Sequence, residues 1–189
     1  MAAVAVGLML VGIEATPGAA AGNPYDEWWS LSNLKATPDG YALYLAVYGN
    51  MGAPLGTPVV VKRFDGQGNQ QWRFERQSDD TVIVRSGGTQ AQQALSIEGN
   101  SHTNGTRVLQ YTYQPSNRYQ RWHILEDKRN ETTTPSKWGI VRLRNVATNK
   151  CLGVAGGTAQ SLPPLSQAVI WDCSSGADQR WWLDLVFPP

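Results

Sequence analysis

Two cysteines, two histidines and eight tryptophans carry the most distinctive chemistry in this 189-residue chain. Cys151 and Cys173 have two futures. In an exported chain they close a disulfide loop, worth about 3 kcal/mol by chain entropy; otherwise they are two buried free thiols. With His102 in the turn "GNSHTNG" and His123 on an alternating stretch, they do not have the spacing of a zinc site. Neither histidine belongs to an H-E-x-x-H or G-x-S-x-G pattern, and "AGGTAQS" lacks the Gly-Lys-Ser/Thr ending of a phosphate loop. No catalytic residue, metal ligand or cofactor is expected. Tryptophan offers a large apolar body, one donor and a flat face on which a ligand can stack. Asn104-Gly-Thr and Asn130-Glu-Thr match the N-glycosylation sequon, which matters only in a eukaryotic source.

The elements that position these residues are strands. Nineteen glycines and eleven prolines, with 16% charged residues, describe a turn-rich β chain long enough for one domain with a real core. Sixteen basic against fifteen acidic residues leave a net charge of +1, and no basic block builds a footprint for nucleic acid. Residues 1–22 read as a secretory leader. The apolar run Ala2 to Ile13 is shorter than the about 20 residues that span a bilayer, and Ala19-Ala20-Ala21 supplies small residues for cleavage near Gly22 or Asn23. The run departs from the usual pattern in having no Lys or Arg before it. The domain is then 23–189, in an extracellular setting, with no membrane span.

A phrase recurs three times along that domain: "QQW" ending at Trp72, "QRW" at Trp122 and "QRW" at Trp181. The units run over about 25–77, 78–127 and 137–187, and each divides into four short strands at Gly, Asn, Asp and Pro clusters. Leu43, Leu45 and Val47 share one face, as do Leu95 with Ile97, Trp122 with Ile124, and Trp181 with Leu183. Three four-strand units about a pseudo-threefold axis make a closed barrel with a hairpin cap. Trp72, Trp122 and Trp181 are its expected core wedges. The amide of each preceding glutamine can satisfy backbone groups where strand leaves loop.

The three Gln-x-Trp phrases, with "KCLGV", "IWDC" and "DQRW" in the third unit, resemble the ricin B-chain type lectins, which form a β-trefoil. The resemblance spans residues 25 to about 187. It implies an all-β β-trefoil, a Cys151–Cys173 bond, and up to one sugar site per unit. Such a site combines a carboxylate two residues after the first cysteine position, an aromatic ten residues before the Trp, and a polar pair opening the phrase. The carboxylate position falls on Ala46, Ser96 and Gly153, so all three units lack it. The aromatic position falls on Lys62, Tyr111 and Trp171, and the polar pair on Asn69-Gln70, Tyr119-Gln120 and Asp178-Gln179.

The third unit is therefore the expected carbohydrate site, through Trp171, Asp178 and Gln179, with Tyr111 and Gln120 a weaker second; the first unit is structural. Asp178 would bring a carboxylate from the other side of the pocket, unless it only caps a turn, and Trp171 would be the platform, unless it only packs against the disulfide. Glu98 could stand in for the carboxylate missing at Ser96. Tyr25, Trp28, Trp29, Tyr41, Tyr44 and Tyr48 concentrate aromatics in the first unit, about half expected in the core and the rest forming an exposed recognition patch. The implied function is a secreted, non-catalytic lectin whose partner is a glycan or glycoconjugate, alone or as the recognition subunit of a larger assembly. The competing expectation is a sugar-free trefoil that binds a protein partner, as a toxin adaptor subunit or a protease inhibitor.

Overall fold

The computed structural model describes residues 27–88, 93–129 and 137–186, with the side chains of 126–129 and 137–138 excepted. The expected leader, Tyr25 and the Asn130 sequon lie outside the described residues. Twelve strands follow one another: β1 (Trp28–Asn33), β2 (Leu43–Val47), β3 (Thr57–Lys62), β4 (Trp72–Arg76), β5 (Val82–Ser86), β6 (Gln93–Ile97), β7 (Val108–Thr112), β8 (Arg121–Arg129), β9 (Lys137–Asn145), β10 (Cys151–Val154), β11 (Ser166–Trp171) and β12 (Trp181–Val186).

Six of them close a ring of antiparallel pairs: β1 with β4, β4 with β5, β5 with β8, β8 with β9, β9 with β12, and β12 back to β1. Closure removes free strand edges, which is how an antiparallel sheet of short strands avoids a reactive border. The other six form three hairpins, β2–β3, β6–β7 and β10–β11. These join over one end of the ring through β3–β7, β3–β11 and an isolated bridge from Arg107 to Val169. A six-strand ring with a three-hairpin cap is the all-β architecture expected of a trefoil.

The core follows from strand alternation. Leu43, Leu45, Leu95, Leu152, Ile170 and Leu183 point inward and are fully buried. Trp72, Trp122 and Trp181 are each 0% exposed, and they occupy equivalent places. Each pairs in register with a residue of the adjacent first strand of its own unit: Trp29, Val82 and Val141 respectively. Each indole Nε1 donates to a second-strand carbonyl, that of Leu45 at 2.9 Å, Leu95 at 3.5 Å and Leu152 at 3.2 Å. A buried indole N–H needs an acceptor, so the wedge also fixes the hairpin above it.

The alternating pattern of the chain contains no sign of helix, yet a three-residue 3-10 turn precedes each of these tryptophans, at Gly68–Gln70, Arg118–Gln120 and Ala177–Gln179. Such turns are too short to leave a period in the sequence.

Candidate functional site

The glutamine that ends each 3-10 turn makes the same pair of bonds in all three units. Gln70 Oε1 accepts from Asp65 N and its Nε2 donates to Arg63 O, both at 2.9 Å. Gln120 repeats this with Gln114 N and Thr112 O, both at 2.8 Å. Gln179 does so with Ser174 N at 2.8 Å and Asp172 O at 2.9 Å. One side chain thus ties the loop after each third strand to the end of that strand or the residue next to it. Gln120, at 0% exposure, has its amide turned to the main chain by these bonds. Gln179, at 2%, has the same bonds but borders an open recess.

That recess, of about 550 Å³, lies in the third unit. Its lining includes Trp171 and Cys173, Asp178 and Gln179, and the segment from Gly153 to Thr158. Trp171 ends β11 and is 48% exposed. It stands opposite Cys151 in the β10–β11 register, and Cys151 is bonded to Cys173. The ring therefore neighbours the disulfide and still offers a face to solvent. From the second unit, Gly105 comes beneath it: a Cβ there would meet the indole at 3.2 Å, and φ of +84° favours glycine in any case.

The loop after Trp171 is pinned from the same side. Asn104 Nδ2 donates to Asp172 Oδ2 at 2.7 Å, and Asp172 N donates to Asn104 Oδ1 at 3.0 Å. Lys150 Nζ donates to the other Asp172 oxygen. These bonds, that from Lys150 first, hold the Asp172 carboxyl below its ordinary pKa. The first unit braces the opposite wall. Asn33 Nδ2 donates to Asp178 O at 2.9 Å, Lys35 Nζ donates to Gly157 O, and Leu162 N donates to Ala36 O at 3.1 Å. Sequence reasoning missed Asn33 and its counterpart Asn145, whose Nδ2 donates to Tyr119 O at 3.0 Å and Arg121 O at 3.1 Å. A signal existed, since "LSN" and "LRN" both end a first strand.

Asp178 sits in the middle of its 3-10 turn, and its side chain does not cap that turn. The carboxylate packs instead into space left by glycines, and it makes no hydrogen bond or ion pair within the described residues.

The second unit has a recess of about 340 Å³ lined by Ser96, Glu98, Tyr111 and Asn117. Tyr111 is 42% exposed there. Glu98 shares this recess, but Arg107 takes both its oxygens, through Nε at 2.7 Å and through Nη2. That bonding lowers the Glu98 pKa and leaves the carboxylate engaged rather than free for a ligand. Tyr119 is turned to His102, its hydroxyl 3.0 Å from Nε2.

In the first unit Lys62 pairs with Asp65 at 2.7 Å, and Asn69 is buried with Nδ2 on the carbonyls of Val47 and Gly49. No platform remains at that position. The aromatics of this unit divide: Trp29 is core, whereas Tyr41 and Tyr48 are exposed, with Arg63 stacked 4.1 Å over the Tyr41 ring. Among the described residues no helix is long and apolar enough to cross a membrane.

The family model of the ricin-type beta-trefoil lectin domain-like proteins matches residues 22–111 and 118–186. Three solved structures illustrate the likeness. The designed threefold-symmetric protein ThreeFoil is 24% identical with a TM-score of 0.65, over 84% of this chain and 99% of its own. The ricin B-like lectin of Macrolepiota procera, solved in complex with lactose, is 22% identical with a TM-score of 0.60, over 84% and 94%. The exo-beta-1,3-galactanase 1,3Gal43A of Clostridium thermocellum is 19% identical with a TM-score of 0.64, over 86% of this chain and 31% of its own. At these identities the likeness is one of fold. No curated protein sequence is similar enough to match.

Proposed function

This chain belongs to the ricin-type β-trefoil lectin-like family, and from that premise we propose that it is a secreted, non-catalytic carbohydrate-binding protein working through the recess of its third unit. The observation that carries the proposal is Trp171: an indole half exposed in a recess of about 550 Å³ whose lining also includes Asp178. An indole kept in water loses the stabilisation of burial, and a polarised aromatic face is the surface against which the C–H groups of a sugar pack. Adjacent carboxylate and amide atoms then fix the hydroxyls.

In this reading the three Gln-x-Trp units, over about 25–77, 78–127 and 137–187, are one repeated design of four strands each. The first has become purely structural. The second retains Tyr111 as a lesser platform. Residues 1–22 are the export leader, and the mature chain starts near Gly22 or Asn23.

The test is calorimetry and a glycan array on the secreted protein. Because a ricin B-like lectin of the same fold was solved with lactose, lactose heads the panel. Binding should fall at least about tenfold in Trp171→Ala, the loss of one stacked ring. No binding across a broad panel, or binding indifferent to Trp171→Ala, would overturn the proposal. Intact-mass measurement of the exported chain checks the leader: a retained Met1 would refute it.

A further inference from the structure

We infer that the Asn104–Gly105 step is a modification site, a deamidation centre that Asp172 keeps locked, and that its conversion to aspartate or isoaspartate releases the loop after Trp171. The reaction needs no ligand, so it stands apart from the carbohydrate reading of the third recess.

Two separate demands put this labile pair in place. Position 105 has φ of +84°, and a Cβ there would meet the Trp171 indole at 3.2 Å, so glycine is required on both counts. Position 104 donates to Asp172 Oδ2 at 2.7 Å and accepts from Asp172 N at 3.0 Å. One amide head carries both a donor and an acceptor, whereas a carboxylate only accepts. Asparagine before glycine is the outcome. In an unrestrained chain the glycine nitrogen, with no side chain to shield it, attacks the neighbouring side-chain carbonyl.

The step balances without an oxidant or reductant. Gly105 N loses its proton and bonds to Asn104 Cγ; the Cγ–Nδ2 bond breaks and Nδ2 leaves as ammonia. Water then opens the cyclic imide at either carbonyl, giving aspartate or isoaspartate. The fold occupies each group this needs. Gly105 N donates to Ile170 O at 2.9 Å, and Ile170 N donates to Thr106 O at 2.9 Å, which stitches the turn to β11. The leaving atom Nδ2 is held by the Asp172 carboxylate in a charge-assisted bond. Lys150 Nζ takes the other Asp172 oxygen and keeps that carboxylate ionised and in place. Only a local opening between the second and third units frees these groups together. Once formed, a carboxylate at 104 gives Asp172 Oδ2 no donor and sets a like charge against it.

The protein for the test is made in a bacterial periplasm, where the Cys151–Cys173 bond forms and the Asn104 sequon stays bare. Folded wild type, urea-unfolded wild type, Asp172→Ala and Trp122→Phe are aged in mildly alkaline buffer, and peptide mapping by mass spectrometry follows Asn104. Circular dichroism confirms folding beforehand. Asp172→Asn, which keeps the shape and loses the charge, repeats the test should Asp172→Ala fail to fold. Folded wild type should convert at least about tenfold more slowly than the unfolded chain, and Asp172→Ala at least about tenfold faster than folded wild type, the worth of one charge-assisted hydrogen bond. Trp122→Phe, which weakens the core and leaves the loop bonds alone, should stay within about twofold of wild type. Asn104→Asp, the product made directly, should exchange its Asp172 amide hydrogen faster than wild type with no ligand present. Asp172→Ala ageing at the wild-type rate, Trp122→Phe ageing as fast as Asp172→Ala, or unchanged exchange in Asn104→Asp overturns the inference. The effect of Trp171→Ala on glycan binding bears on the carbohydrate reading alone.

Discussion

Asn104 and Asp172 exchange hydrogen bonds in both directions, side-chain amide to carboxylate at 2.7 Å and backbone N–H to side-chain oxygen at 3.0 Å. The two residues lie in different units, so the turn of the second unit sets the loop that follows Trp171 in the third. Asn104→Ala should loosen that loop and weaken glycan binding about fivefold, the worth of roughly 1 kcal/mol of hydrogen bonding. Gly105→Ala should do more, because it combines contact with the indole and a left-handed backbone. Calorimetry against the same glycan checks both, and unchanged affinity in the pair would mean that the platform holds itself.

The disulfide should matter to stability first. Cys151 and Cys173 are 22 residues apart with Cα atoms 4.9 Å apart, and the bond ties β10 to the loop after β11. Cys151→Ser/Cys173→Ser should lower unfolding free energy by about 3 kcal/mol on loop-closure grounds. Denaturant titration measures it. A midpoint that does not move would show the Gln179 brace to be sufficient for that loop.

The three core tryptophans should not be equally costly to replace. Trp→Phe removes volume and orphans a carbonyl, together about 2–4 kcal/mol. The indole bond is 2.9 Å for Trp72, 3.2 Å for Trp181 and 3.5 Å for Trp122. The expected order of loss is therefore Trp72→Phe, then Trp181→Phe, then Trp122→Phe. Chemical denaturation ranks them, and Trp122→Phe emerging as the worst would break the argument.

Acid should reach Asp172 and Glu98 late. Both carboxyls have folded-state pKa values below their ordinary ones, Asp172 through Lys150 and Asn104, Glu98 through Arg107. Their contribution to stability is complete above the unfolded-state values, about 4, and is lost as pH falls through the lower folded-state values. Carboxyl NMR titration should place both midpoints under the ordinary range, with Lys150→Ala moving that of Asp172 upward. An ordinary midpoint for Asp172 in the wild-type protein would be the contrary result.

Much of this architecture is legible in sequence because it is written three times. A single buried tryptophan is ambiguous, but Trp72, Trp122 and Trp181 share both a preceding glutamine and a following alternation, which leaves few topologies. The site was harder to read. Trp171 and Asp178 were visible as letters, whereas the room that the Asp178 side chain occupies depends on Gly157 and Gly176, where a Cβ would collide with it. The anchoring of the loop after Trp171 was hidden for another reason: Asn104 and Asp172 lie far apart in sequence, and no short-range pattern records their meeting. The Glu98–Arg107 pair was missed because alternation gives a face without giving a partner.

The bracing of the third recess by Asn33 and Lys35 on one side and by Asn104 and Gly105 on the other has a consequence for how such a chain can diverge. Each of the first two repeats is a buttress of the third, whatever it holds itself. Lys62 and Glu98 can be tied up in ion pairs without making their units dispensable, and a drift that silenced Asn33 or Gly105 would be felt in the third unit's recess. The three copies of one module are mechanically coupled, and a change in one is transmitted to the walls of another.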